Sequence, residues 1–222
     1  MELYKDLDKI KRRSAISSNL RELAEIISRS DYGEILLPYP RKRYSHNEQH
    51  IGCTMPLSAS QESISEKRIC RCWNYFNKPE CNRICTSCTF EFKKENVSNY
   101  EIVDYEVPTV FAMKQLGGID WLLKREEKII AAEVKPPNSQ ENIVRMITEI
   151  LTYTIDTPYT PAICFFIKNI EGEPSKPYVD YMRYKDDKNF QFIKQRTELK
   201  VLYITYDEKT FCIHDEEEEP LI

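Results

Sequence analysis

What this 222-residue sequence lacks narrows it first. No apolar run is long enough to cross a bilayer, and residues 1–13 are full of charge where a signal peptide would carry an apolar centre. The expectation is a chain with no membrane partner, cytoplasmic or otherwise intracellular. Excess positive charge is also missing. A formal net charge of -4 argues against a non-specific nucleic-acid coat protein, though a local basic surface is compatible with it. No internal repeat is present. Cysteines are not spread as a secreted disulfide framework would spread them: of eight, six crowd between Cys53 and Cys88, while Cys164 and Cys212 sit alone in apolar runs and read as small buried hydrophobes. The length supports one good-sized core, hence one domain with an insertion.

What is present centres on Gly117-Gly118-Ile119-Asp120-Trp121-Leu122-Leu123, a charged break, and Ile129-Ile130-Ala131-Ala132-Glu133-Val134-Lys135. Two apolar runs of similar length around Lys124-Arg125-Glu126-Glu127-Lys128 predict a β-hairpin. With Glu126 and Glu127 as a two-residue turn, Arg125 faces Lys128. The same register sets Asp120 across from Glu133, with Lys135 on the face of Glu133 by the strand period of two. An apolar strand can end in charge merely to reach solvent, but the Asp on the neighbouring strand disfavours that plain alternative.

Gly-Ile-Asp, a strand of spacer and Glu-Val-Lys resemble the active-site signature of the PD-(D/E)XK nuclease superfamily. Gly118-Ile119 stands where that family usually has Pro before the Asp. The resemblance implies an α/β fold with a restriction-endonuclease-like core, a central mixed sheet flanked by helices, carrying here a small cysteine-rich insertion. It implies a Mg2+-dependent deoxyribonuclease, a hydrolase acting on single- or double-stranded DNA. Asp120 and Glu133 would hold Mg2+ or Mn2+ through oxygen, and Lys135 would orient or help deprotonate the attacking water. Many members carry an extra Glu on the first core helix, and Glu22 and Glu25 are the positions available, with plain solvent exposure as the alternative. RecB-like members carry Gln-x-x-x-Tyr on the helix after the signature; Glu149 and Tyr153 have that spacing, with Glu in place of Gln. A homodimer is left open.

The cysteines form a second pattern. Cys70-Arg71-Cys72 and Cys81-Asn82-Arg83-Ile84-Cys85-Thr86-Ser87-Cys88 have spacings that let thiolates converge from two short loops on a structural Zn2+. Five cysteines compete for four places, with Cys72, Cys81, Cys85 and Cys88 the first choice and Cys70 the substitute. An iron-sulfur cluster is the alternative metal group. His46, His50 and Cys53 are further candidate ligands or an ordinary exposed set. The basic residues Arg41, Lys42, Arg43, Lys67, Arg68 and Arg71, with Trp73, Tyr75 and Phe76 among them, read either as a nucleic-acid grip with stacking platforms or as a solvated rim.

Along the chain, residues 2–13 predict a charged helix. A second helix opens on Asn19 as N-cap and buries Leu20, Leu23, Ala24 and Ile27. Strands are expected at 34–38, 89–94, 100–107, 161–168, 199–206 and 210–214. A helix from Asn138 and Ser139 to about Tyr153 has Ile143, Ile147, Ile150 and Leu151 inside and Arg145, Glu149 and Tyr153 on a polar stripe, and another is expected at 186–195. Glu106, before Pro108, reads as an edge-strand carboxylate, with an approach to the catalytic hairpin as the alternative. Residues 1–222 thus form one domain, with 39–98 as the inserted metal-binding module, too poor in apolar residues to hold itself together, and 215–222 as a solvated, disordered acidic tail. A nucleic-acid-binding zinc protein with an inactive core is the second functional reading, and a redox protein using the cysteines the third.

Overall fold

The structure, a computed structural model, describes residues 2–11, 15–29, 66–76, 92–108, 118–155 and 157–218. In chain order it has α1 (Glu2–Lys11), α2 (Ile16–Ile27), α3 (Glu66–Tyr75), β1 (Glu95–Asn96), β2 (Glu101–Pro108), β3 (Gly118–Arg125) and β4 (Lys128–Lys135). These are followed by α4 (Ile143–Thr154), β5 (Thr160–Phe166), α5 (Lys176–Tyr184), α6 (Lys188–Thr197), β6 (Lys200–Tyr206) and β7 (Thr210–Asp215). The strands make one seven-stranded sheet in the order β1-β7-β6-β5-β4-β3-β2. It is mixed: β2, β3 and β4 form an antiparallel meander, β5 and β6 continue it in parallel, β7 is antiparallel to β6, and β1 lies parallel to β7. A parallel step from β4 to β5 needs a crossover, and α4 supplies it. The fold is therefore α/β.

Each sheet face has its own core. On one, α1, α2, α4 and α6 bury Leu7, Ile10, Leu20, Leu23, Ile147, Ile150, Phe190 and Ile193 against Ala131, Ile163 and Phe165. On the other, α3 lays Ile69, Cys70, Cys72 and Trp73 on Trp121, Ala132, Val134, Phe166 and Phe211. Trp73 is the centre of this second core, stacked on Phe211 with ring centroids 3.6 Å apart and on Trp121 at 5.7 Å, its indole N–H donating to the Phe92 carbonyl at 2.7 Å. Covered on both faces, the middle strands show no polar alternation: Ile130, Ala131, Ala132, Glu133, Val134 and Lys135 are all buried.

Several expectations need correction. Asn19 is no N-cap: α2 starts three residues earlier, after Ala15, and Asn19 is buried within it. The crossover helix begins later than Ser139, because Asn142 is the residue whose side chain accepts the Arg145 backbone N–H. Helix α5 was not foreseen, although Ser175 caps it and Pro177 lies in its first turn, both helix-start signals. Residues 92–94 carry no strand, and only the two-residue β1 follows them. The acidic stretch after 214 is not loose where described. Asp215 accepts from Tyr100 at 2.7 Å and pairs with Arg125 and with Lys200 at 3.3 Å, and Glu216 pairs with Lys194 and accepts from Tyr181. The inserted segment, finally, is held in part by burial, since α3 is among the best-packed elements of the second core. The expected strand at 34–38 lies outside the described residues, as do residues 219–222.

Candidate functional site

The hairpin forms in the expected register. Arg125 pairs with Lys128 and Trp121 with Ala132, and one more step along the ladder sets Asp120 beside Glu133. Asp120 Oδ2 accepts the Val134 backbone N–H at 2.7 Å, which ties the carboxylate to the neighbouring strand. Gly118 is needed at the strand's start. A Cβ there would lie 2.7 Å from the Val107 carbonyl oxygen of β2, closer than any side chain tolerates, so the backbone approach admits glycine alone.

Asp120, Glu133 and Lys135 are 8, 3 and 4 % exposed, and charges so buried demand partners. Lys135 Nζ has four: Glu133 at 2.5 Å, Glu66 at 2.9 Å, Glu141 at 3.2 Å and Glu149 at 3.4 Å. Burial works to lower the Lys135 pKa, but Glu133, Glu66, Asp120 and Glu149 together hold it well above the ordinary lysine value. The ammonium is therefore locked in its charged form. Burial, then the charge of Glu66, pushes the Asp120 carboxyl well up, against the opposing pull of Lys135 and the Val134 N–H. Burial and then Asp120 do the same to Glu133, although Lys135 touches it.

Glu66, at the first turn of α3, where a carboxylate suits the helix dipole, is the residue sequence reasoning missed. Its oxygen, one of Asp120 and one of Glu133 all lie within 4.8 Å of one another, and no other group of three carboxylates, histidines or cysteines does so among the described residues. Oxygens on one octahedral Mg2+ are roughly 3–4 Å apart, which follows from metal–oxygen bonds of about 2.1 Å. The trio is thus of the right size and chemistry for a hard divalent cation. Neither Glu22 nor Glu25 belongs to this trio, and Glu25 is exposed and faces Arg21 at 3.9 Å.

The site lies in a cleft of about 470 Å3, whose lining includes the trio, Lys135 and Gly118, Glu106 and Arg71 on one wall, and Glu141, Arg145, Glu149 and Tyr153 on the other. The stripe of Arg145, Glu149 and Tyr153 thus faces the cleft. Glu149 takes Lys11 of α1 at 2.7 Å, a cation no motif pointed to, and Lys11 also lies 5.7 Å from the centre of the Tyr153 ring. Burial raises the Glu149 pKa, but its hydrogen bond with Glu133 and the charges of Lys135 and Lys11 prevail and bring it down to about 2. Burial, followed by Glu133 and Glu149, raises Tyr153, which stays a neutral phenol.

Glu106 enters the cleft by an unusual route. Its φ of 47° is left-handed in the middle of β2, between Tyr105 paired with Trp121 and Val107 paired with Ile119. For a residue other than glycine this costs about 1–3 kcal/mol. Its Oε2 accepts from both Nε and Nη2 of Arg71, at 3.0 and 2.8 Å.

The cysteine expectation is only partly within view. Cys53, Cys81, Cys85 and Cys88 lie outside the described residues, with His46, His50, Arg41, Lys42 and Arg43. Cys70-Arg71-Cys72 is helical rather than a loop, and residues two apart on a helix point to different sides. Burial, then the charges of Asp120 and Glu66, pushes the Cys70 thiol well up. Cys72 Sγ sits 3.7 Å from the Phe92 carbonyl oxygen. Cys164 is buried as expected, while Cys212 is half-buried, 3.9 Å from His214 Nδ1. Trp73 cannot serve as a base-stacking platform, because it is core; Arg68 is buried too, and Phe76 is half-buried.

No family model matches the sequence, and no curated protein matches it. A solved structure with some likeness is that of Pyrococcus furiosus SfsA in complex with Ca2+, at 17 % identity and a TM-score of 0.28. The match covers 53 % of each chain, so it spans about half the length of that protein. At that level the likeness carries no weight for fold or function. No described helix is long and apolar enough to cross a membrane.

Proposed function

We propose that this chain is a metal-dependent phosphodiesterase acting on DNA, built on a restriction-endonuclease-like core, with Mg2+ or Mn2+ held by Asp120, Glu133 and Glu66. The observation that carries it is the convergence of three carboxylates from three elements within 4.8 Å, beside a buried lysine, in an open cleft. Burying like charges together destabilises a fold unless a cation is to join them. The order α2, β2–β4, α4, β5 around Asp and Glu-x-Lys supports the core assignment.

A bound divalent ion would supply Lewis-acid polarisation of a phosphoryl oxygen and lower the pKa of a coordinated water. Asp120 and Glu133 would hold that ion from adjacent strands, and Glu66 would complete the set from α3. Lys135 is a fixed positive charge and hydrogen-bond donor. With carboxylates on its ammonium, its part is to orient the nucleophile and stabilise charge growing on the phosphate. Glu149, itself paired with Lys11 of α1, keeps Lys135 aimed from the α4 side. For the cysteines we propose a structural zinc drawn from Cys72, Cys81, Cys85 and Cys88, with Cys70 as the substitute; an iron-sulfur cluster would instead give visible absorbance.

The test is cleavage of a linear duplex and of the same strand unpaired, with Mg2+, Mn2+ or EDTA. Cleavage that needs the metal and falls at least a hundredfold in Glu133→Gln supports the reading. Undiminished cleavage by Glu133→Gln removes the assigned site.

A further inference from the structure

We propose that Arg71 is the phosphate-binding residue of the cleft, and that Glu106 occupies its guanidinium until a substrate phosphate displaces it; this rests on the phosphodiesterase reading above. Among the described residues, three cations line the cleft. Lys135 is packed among four carboxylates, and Arg145 is shared between Glu141 at 3.3 Å and Glu149 at 3.5 Å on the α4 wall. Arg71 stands on the opposite wall, on the helix that also brings in Glu66, with its side chain 20 % exposed and so within reach of a ligand.

The second observation is how Arg71 is held. Its Nε and Nη2 both donate to one oxygen of Glu106, so the edge of the guanidinium that suits an oxyanion already has one. To put that oxygen there, Glu106 keeps a left-handed backbone in mid-strand. Glu126 and Glu198 share the conformation, but they sit in the hairpin turn and at the end of α6, where it is ordinary. Only Glu106 adopts it inside a strand among the described residues, and it does so on the wall of the candidate site. Strain kept at such a place points to a working contact. A phosphate oxygen can take the position of Glu106 Oε2 and keep both hydrogen bonds.

Displacement makes a prediction of opposite signs. The probe is a fluorescein-labelled 20-base-pair duplex, and the same strand unpaired, bound by the full chain in Ca2+ and read by fluorescence anisotropy across a salt series. Arg71→Ala should weaken binding roughly tenfold to a hundredfold and reduce the slope of log Kd against log salt by about one. Arg71→Lys, which keeps the charge, should keep the slope and recover part of the affinity. Glu106→Gln, which removes the competing charge, should tighten binding by roughly threefold or more. If Arg71→Ala matches the intact protein in affinity and slope, if both variants weaken binding as a merely structural pair would, or if the intact protein binds neither strand, the assignment is overturned. If the intact protein binds with this pattern yet cleaves neither strand in Mg2+, the hydrolase reading fails and Arg71 stands.

Discussion

Lys135 is the residue on which the charges of the cleft balance. Four carboxylates converge on one ammonium, and removing it takes away the cation that all four touch. Lys135→Met should therefore lower stability by about 3–5 kcal/mol in urea unfolding with EDTA present, with part of the loss recovered in Mg2+. Lys135→Arg should keep more of the stability but lose cleavage, because a planar guanidinium does not fit the compact point its ammonium occupies. A Met variant as stable as the intact protein would show that the carboxylates are already neutral and that no cation is needed among them. At this scale the sequence was readable wherever chemistry followed local geometry. The pairing of Arg125 with Lys128 and a period of two are enough to bring Asp120, Glu133 and Lys135 together. Glu66 and Lys11 were not readable, because they meet the site's carboxylates through the packing of separate helices, and no spacing in the sequence records that distance. Glu25 had a suitable position in the chain and a direction that leads to solvent.

Among the elements, α3 joins the chemistry to the core. Its Trp73 stacks on Phe211 and Trp121, while Glu66 and Arg71 of the same helix line the cleft. Trp73→Ala should cost about 3–5 kcal/mol by chemical denaturation and weaken metal binding as well, since the helix that carries Glu66 loses its anchor. Loss of stability with metal affinity unchanged would mean that Glu66 is held by something other than the seat of α3. The hairpin and the strands β5, β6 and β7 could be read from the sequence because apolar runs bounded by turn residues admit few alternatives. Helix α3 could not. Its two cysteines and three basic residues look like a ligand loop, and only the tertiary partners on the second sheet face make Ile69 and Trp73 the meaningful positions. Helix α5 had its signals in Ser175 and Pro177, but its short, mixed-charge face gave no periodicity to go with them.

For the whole molecule, the sheet places its strongest unfavourable electrostatics in one cleft, and this couples stability to pH and to metal. Asp120 and Glu133 hold their protons above the ordinary values of 3.8 and 4.5, so the folded protein binds protons there that the unfolded chain has released. Stability from these groups is full below the ordinary carboxylate range and is lost as pH rises through their folded pKa values. Glu149 runs the other way. Held down to about 2, it contributes stability above its ordinary 4.5 that is lost only as pH falls from there toward 2, so it does not change between pH 5.5 and 8. The order of the core elements was legible in the sequence; this concentration of charge was not, because it depends on how much water the packed helices exclude. The most direct measurement is the thermal midpoint of the intact protein and of Glu133→Gln at pH 5.5 and 8, in EDTA and in Mg2+. The intact protein should melt lower at pH 8 than at pH 5.5 in EDTA, by about 2–4 °C for each kcal/mol lost, and Mg2+ should reverse that fall at pH 8, while Glu133→Gln shows a smaller fall and little response to Mg2+. A midpoint that Mg2+ does not move, or moves equally in both proteins, would contradict a cation held by Glu66, Asp120 and Glu133.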